Sequence, residues 1–186
     1  GAPLRPASAS GGEVRGRTMN VAETHALDRT PSRTDLADVR HRVLTAGSSF
    51  YWAMRFVPRA KSDALFAIYA FCREVDDIAD GTQPAADKRA ALAEWRRRID
   101  RLYDDRAADH PVARALAPAI ATFGLERADF VAVIAGMEMD ADAPIIAPDL
   151  ATLDLYCDRV ASAVGRLCVR VFGEPGANGM RVADRL

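Results

Sequence analysis

The stretch AKSDALFAIYAFCREVDDIADG, from Ala60 to Gly81, decides the fold class. Its apolar residues recur three or four positions apart, as one buried face of an α-helix requires. These residues are Leu65, Ile68, Cys72, Val75 and Ala79. Acidic residues crowd the C-terminal end of the stretch, and Gly81 is a residue type that often follows the last turn of a helix. We predict a long helix over residues 60–80 that ends in a cluster of carboxylates.

Helical spacing continues on both sides of this stretch, and no segment alternates apolar and polar residues convincingly as a half-buried strand would. The other predicted helices cover about residues 35–46, 50–57, 84–103, 111–123, 126–140 and 152–172. The sequence therefore predicts an all-α fold. Residues 1–33 are rich in Gly, Ala, Ser, Pro and Arg without apolar periodicity. We expect them to form a disordered N-terminal extension, with one domain over residues 34–186.

Composition excludes several classes of protein. A formal net charge of −1 over 186 residues argues against a nucleic-acid partner, which would call for a basic excess. The cysteines Cys72, Cys157 and Cys168 lack metal-ligand spacing, and we interpret them as core residues in a reducing compartment. No apolar run approaches the ~20 residues of a membrane span. We expect a cytoplasmic protein and leave open a peripheral contact with a membrane surface and the oligomeric state.

The acidic end of the predicted helix, EVDDIAD from Glu74 to Asp80, breaks three local rules at once. Aspartate is roughly half a kcal/mol worse than alanine inside a helix. Carboxylates near a helix C-terminus oppose its dipole by about 0.3–1 kcal/mol each. Asp76 and Asp80 lie about 40° apart around the axis and about 6 Å along it, so they share one face. This pattern favours a site for a divalent cation and a phosphate, and a solvated acidic face remains the alternative.

Three segments together resemble the squalene/phytoene synthase family. They are SSFYWAMRFVPRAKSDALFAIYAFCREVDDIADG (Ser48 to Gly81), GMEMD (Gly136 to Asp140) and LATLDLYCDRVASAVGRLCVRVFG (Leu150 to Gly173). A short aspartate motif is weak evidence, whereas the long contiguous match is specific. Within the family, the segments are most similar to the bacterial branch that joins two farnesyl diphosphates in hopanoid pathways.

The resemblance implies the isoprenoid synthase fold and a Mg²⁺-dependent condensation of two prenyl diphosphates. Asp76 and Asp80 would be metal ligands supported by Asp77, and they would act in catalysis together with Arg73 and Tyr69. The substrate would also contact Arg73, Tyr69, a lid of three residues and a wall of small or β-branched residues. The lid matches Ser48, Ser49 and Phe50, and the wall matches Val160, Ala161, Val164 and Gly165.

The family's second aspartate-rich motif is expected after Leu186, so the resemblance implies an N-terminal portion that is truncated before that helix and inactive alone. Two alternatives stay open: a phytoene synthase that uses geranylgeranyl diphosphate, and a non-catalytic assembly factor on the same fold. We interpret Glu138, Asp140 and Asp142 as an acidic helix end. We assign no catalytic role to Asp158 or Arg159, and we interpret His25, His41 and His110 as surface histidines.

Overall fold

The computed structural model describes residues 33–45, 50–104, 106–142 and 146–185. Within these ranges the chain is all-α, as predicted, and contains no strand. One π-helical turn spans Asp158–Ser162. The helices are α1 (Arg33–Thr45), α2 (Phe50–Arg55), α3 (Arg59–Asp80), α4 (Ala85–Tyr103), α5 (Pro111–Phe123), α6 (Arg127–Asp142), α7 (Leu150–Cys157), α8 (Ala163–Phe172) and α9 (Ala177–Ala183). The extension predicted over residues 1–33 lies outside the described residues except for Arg33, which begins α1.

Helix α3 lies at the centre of the fold and packs against α1, α2, α4, α5, α6 and α8. Its Phe71 is fully buried and contacts two rings edge-on, Trp95 of α4 at 5.5 Å and Phe130 of α6 at 5.2 Å between centroids. Edge-to-face pairs of this kind add about 0.5–1.5 kcal/mol each beyond the area they bury. The buried side of α3 therefore fixes which way its carboxylates face.

Bidentate ion pairs connect helices that are distant in sequence. Arg114 of α5 binds the buried Asp35 of α1 at 3.0 and 2.7 Å. Arg96 of α4 binds Glu138 of α6 at 2.9 and 2.7 Å, so Glu138 has a structural partner rather than belonging to a solvated helix end. A buried carboxylate needs such a partner, because its desolvation is otherwise uncompensated.

A single arginine of α8 joins three other parts of the fold. Arg166 binds Asp129 of α6 at 2.7 Å, Asp158 of the π-turn at 2.8 Å and Asp184 after α9 at 3.0 Å. Asp129 is buried, and burial raises its pKa although Arg166 opposes the shift. The arginine thereby holds α9 against the rest of the helical core.

Two helix ends differ from the sequence-based expectation. Gly81 follows α3 with φ −60° and ψ 163°, an extended rather than a left-handed conformation. Lys88 of α4 donates a hydrogen bond of 2.6 Å to the carbonyl of Ala79 and so satisfies part of that helix end. His110, which was interpreted as a surface histidine, is half-buried and has packing partners: its ring lies 5.0 Å from that of Trp95, and its Nδ1 accepts the backbone N–H of Val112 to cap α5.

Helix α6 approaches the π-turn closely because Gly136 has no side chain. A Cβ atom at this position would lie 2.6 Å from Cγ1 of Val160 and 3.1 Å from Cβ of Arg159. A separation of 2.6 Å is well below a normal carbon–carbon contact of about 3.5–4.0 Å. The glycine thus sets the spacing between the wall that carries residues 158–162 and the centre of the fold.

We expect Gly136→Val to destabilise the protein by about 1–3 kcal/mol, because the added methyl groups overlap the π-turn. Urea unfolding followed by circular dichroism measures the change. The matched control is Ala128→Val at an exposed position of the same helix, which should cost less than about 1 kcal/mol. Equal losses of unfolding free energy in the two variants would contradict the close approach of α6 to the π-turn at Gly136.

Candidate active site at the carboxylate end of helix α3

The last two turns of α3 bring one arginine and three aspartates together. Arg73 donates a hydrogen bond of 2.9 Å to Oδ2 of Asp76 and lies 2.6 Å from Oδ1 of Asp77. Asp76 is partly buried, and Asp77 and Asp80 are exposed. Three carboxylates and one guanidinium leave this helix end with an excess of negative charge.

Two further residues reach the same place from α6 and α7. The hydroxyl of Tyr156 donates a hydrogen bond of 2.9 Å to Oδ2 of Asp140. Burial raises the pKa of Tyr156 to about 12, and so do the bond to Asp140 and the charges of Asp140, Asp76 and Asp80. Asp140 was expected in an acidic helix end without a role. The structure instead directs it toward the carboxylates of α3.

The partial burial of Asp76 makes its charge costly. Burial raises the pKa of Asp76 above the ordinary value, and Asp80, Asp77 and Asp140 raise it further, whereas Arg73 acts in the opposite direction. A carboxylate that is partly desolvated among like charges is stabilised by a cation. The electrostatics of the cluster therefore favour a positive ion or group at this position.

The carboxylate oxygens of the cluster suit a metal ion that the protein and a substrate bind together. In the described part of the chain, no group of three or more His, Cys, Asp or Glu side chains is arranged to hold a metal by itself. Mg²⁺ prefers carboxylate oxygens and is commonly held by only one or two of them, with water and substrate phosphates as the other ligands. Asp76 and Asp80 are the residues that could hold it, with Asp77 beside them, so the cluster fits this ion.

A hollow of about 250 Å³ adjoins the cluster. Tyr69, Arg73 and Asp77 of α3 form one side of it, and Val43 and Thr45 of α1 form the other. The tyrosine and the arginine for which the resemblance implies substrate contact thus line a cavity next to the aspartates. Their positions allow both side chains to meet a ligand that enters the hollow.

The predicted wall beyond residue 150 has a different local structure from the one expected. The helix predicted over 152–172 contains the π-turn, in which Val160 and Ala161 lie half-buried. Val164 is half-buried and Gly165 is buried at the start of α8. Val160 and Val164 pack against the core. That these positions line a prenyl-binding cavity stays a prediction.

The predicted lid falls mostly outside the described part of the chain. Ser48 and Ser49 lie outside the described residues, and Phe50 is placed only as the first residue of α2.

Asp158, to which no catalytic role was assigned, binds Arg166 at 2.8 Å.

A family comparison gives this geometry a context. Residues 43–186 match the sequence profile of squalene/phytoene synthase. The matched range includes the aspartates of α3, the GMEMD segment and the π-turn. The chain belongs to the squalene/phytoene synthase family.

Individual relatives agree with this assignment. The chain is 54% identical over 146 residues to the presqualene diphosphate synthase of Rhodopseudomonas palustris, covering 78% of this chain and 52% of that protein. It is 51% identical to the presqualene diphosphate synthase of Sinorhizobium fredii, covering 81% and 53% of the two chains. Identity to a phytoene synthase of Mycobacterium tuberculosis is 36%, with coverages of 76% and 46%.

Solved structures confirm the isoprenoid synthase fold. A squalene synthase from Alicyclobacillus acidocaldarius superposes with a TM-score of 0.66 at 28% identity, covering 84% of this chain and 60% of that one. A dehydrosqualene synthase gives the same TM-score and identity over 75% of this chain and 47% of that one. The chain spans about half the length of the curated relatives it matches.

We expect Asp76→Asn to raise the thermal unfolding midpoint at neutral pH in metal-free buffer. The pKa of Asp76 is raised in the folded state. The protonated carboxyl therefore stabilises the folded protein at acid pH, and this stabilisation is lost as the pH rises through the raised pKa. Asparagine stays neutral at every pH and avoids that loss. The gain of the variant should therefore shrink toward about pH 3, below the ordinary aspartate pKa of about 3.9.

Scanning calorimetry across this pH range measures the difference. Asp154→Asn, at an exposed position of α7, is the matched control and should change the midpoint little. A lower midpoint for Asp76→Asn at neutral pH would mean that the contact with Arg73 outweighs the repulsion among the carboxylates.

Proposed function

We propose that this chain is the part of a Mg²⁺-dependent prenyltransferase that carries the first metal-binding wall, and that the whole enzyme condenses two farnesyl diphosphates head-to-head to presqualene diphosphate. The observation that carries the proposal is the carboxylate cluster of α3, with Arg73 and Tyr69 lining the adjoining hollow. Identity of 51–54% to presqualene diphosphate synthases, against 36% to phytoene synthases, supports the shorter substrate.

The residues of α3 would act on the diphosphate. Mg²⁺, when bound, would neutralise charge on the departing diphosphate. Asp76 and Asp80 would hold that ion, and Arg73 would contact the phosphate oxygens, for which the planar guanidinium is well suited. Arg73 is paired with Asp76 and Asp77. Substrate binding would therefore exchange at least one of these contacts for a phosphate, while a cation compensates the released carboxylate.

The carbon chemistry would take place in apolar surroundings. The C–O bond of one substrate breaks, and its diphosphate leaves with the bonding electrons. The double bond of the second substrate attacks the allylic cation, and loss of a proton closes the cyclopropane ring. Small and β-branched side chains such as Val160, Ala161 and Val164 would leave room for the prenyl chains and exclude water from the cation.

The proposed mechanism needs carboxylates on two facing walls, and α3 supplies one of them. Because Mg²⁺ completes its shell with substrate phosphates, two aspartates alone would bind it weakly. Residues 1–186 on their own are therefore expected to give no turnover. A chimera that continues this chain with the remaining half of the Rhodopseudomonas palustris relative would supply the other wall.

With this chimera and Mg²⁺, we expect farnesyl diphosphate to be converted to presqualene diphosphate without NADPH. Farnesyl and geranylgeranyl diphosphate are offered separately, and mass spectrometry identifies the products. Residues 1–186 alone are the negative control and are expected to give no product. Preference for geranylgeranyl diphosphate with phytoene as product would instead assign a phytoene synthase. A folded chimera without any product would favour a non-catalytic assembly factor.

In the same chimera, we expect Asp76→Ala and Asp80→Ala each to reduce turnover by orders of magnitude with little change in the circular dichroism spectrum. Each removes an oxygen ligand from the ion that would neutralise the leaving diphosphate. Asp154→Ala, at an exposed carboxylate of α7, is the matched control. Near-normal turnover in both site variants would remove the aspartates from the mechanism.

A further inference from the structure

An exposed aromatic surface lies on the side of α2 and in the bend that follows it. Trp52 is 59% exposed and Phe56 is 83% exposed. The two large apolar side chains occur within five residues, and a basic residue, Arg55, stands between them. The guanidinium carbon of Arg55 lies 5.7 Å from the centre of the Trp52 ring. Aromatic rings are thus presented to solvent together with a cation.

Next to these rings is an open hollow of about 350 Å³ that collects positive charge. Arg40 of α1, Arg55 of α2 and Arg59 of α3 all line it, and none of its described lining residues is a carboxylate. The nearby Asp63 contacts Arg40 at 2.6 Å and Arg59 at 3.7 Å. One carboxylate set against three guanidinium groups leaves the hollow cationic. We call Arg40, Arg55, Arg59, Trp52 and Phe56 the aromatic–arginine surface.

We propose that the aromatic–arginine surface docks this protein on an anionic phospholipid bilayer. Tryptophan and phenylalanine are suited to the boundary between head groups and acyl chains. Each arginine near an anionic membrane surface contributes about 1 kcal/mol to binding. A free phosphate would engage the arginines but would leave Trp52 and Phe56 in water, whereas a bilayer accommodates both. No helix in the described ranges is long and apolar enough to cross a membrane, so the docking is peripheral.

This inference stands on the surface alone and does not depend on the catalytic proposal. The surface differs from the hollow beside the carboxylates, whose walls are Val43, Thr45 and residues of the second half of α3. Substitutions at Trp52, Arg55, Phe56 and Arg59 therefore leave the aspartate cluster intact, and binding can be measured without turnover.

Co-sedimentation of residues 1–186 with lipid vesicles tests the proposal. We expect binding to phosphatidylcholine vesicles that contain phosphatidylglycerol and much weaker binding to phosphatidylcholine alone. Arg55→Gln with Arg59→Gln should weaken binding to the anionic vesicles by about fivefold for each arginine. Trp52→Ala with Phe56→Ala should weaken it at least as much. Matched controls are Arg97→Gln and Phe172→Ala, whose side chains are also exposed and should not change binding.

Tryptophan fluorescence gives a second, positional measurement. The chain has two tryptophans, and Trp95 is only 2% exposed. Brominated acyl chains in the vesicles should quench emission from Trp52, and Trp52→Phe should remove that quenching while vesicle binding persists. Circular dichroism verifies that each variant is folded.

Several results would overturn the proposal. They are absence of binding to anionic vesicles, equal binding by folded double variants and wild type, quenching that persists in Trp52→Phe, and full displacement by inorganic phosphate. The last would show that the hollow is a site for a free anion. Vesicle binding that is lost only in the two double variants, together with quenching of Trp52, would establish the docking surface.

Discussion

Helix α3 must bury one side and concentrate negative charge on the other, and the rest of the structure depends on how it does both. The buried side carries Phe71 and Val75, neither of which is exposed at all. The charged side ends in Asp76 and Asp80, where the helix dipole adds to the repulsion. Burial of large side chains at roughly 1.5–3 kcal/mol each is enough to hold the carboxylates in place. The same helix therefore stabilises the core and holds the site in an electrostatically unfavourable state.

The GMEMD segment shows how one helix serves packing and site together. Gly136 permits α6 to approach the π-turn, Glu138 binds Arg96 of α4, and Asp140 accepts a hydrogen bond from Tyr156. Gly136 and Asp140 are four positions apart and share one side of α6, whereas Glu138 lies between them in sequence and points to the opposite side. One short segment thereby connects helices α4 and α7 to the centre of the fold and brings a fourth carboxylate toward α3.

The sequence was sufficient to predict the all-α fold and most helix positions, because apolar spacing is a local property. The bounds of α3 agree with the prediction within one residue. The contact between Arg73 and Asp76 follows from helix geometry, because residues three positions apart are neighbours on the helix surface. Roles that depend on a partner from elsewhere could not be predicted. Glu138 and Asp140 look alike in sequence, and only their neighbours distinguish an ion pair in the scaffold from a group at the site.

His110 illustrates the same limit. Its polar neighbours in sequence suggested exposure, yet α4 places Trp95 against its ring. The signal that could have revealed this is its position immediately before Pro111, the first residue of a helix, where a side-chain acceptor caps the backbone. The end of α3 likewise has a partner from elsewhere in the chain, because Lys88 of α4 donates a hydrogen bond to the carbonyl of Ala79.

The π-turn at Asp158–Ser162 is the place where the chain between α7 and α8 could lose one residue. A π-turn accommodates one residue more than an α-helical turn of the same span. Deleting that extra residue would restore a regular α-helix and leave α7 and α8 close to their present orientations. Val164 and Gly165 would keep their side of the helix, and Arg166 would keep the position from which it binds Asp129 and Asp184. A deletion within α7 or α8 themselves has no such compensation and would rotate the residues beyond it by about 100°.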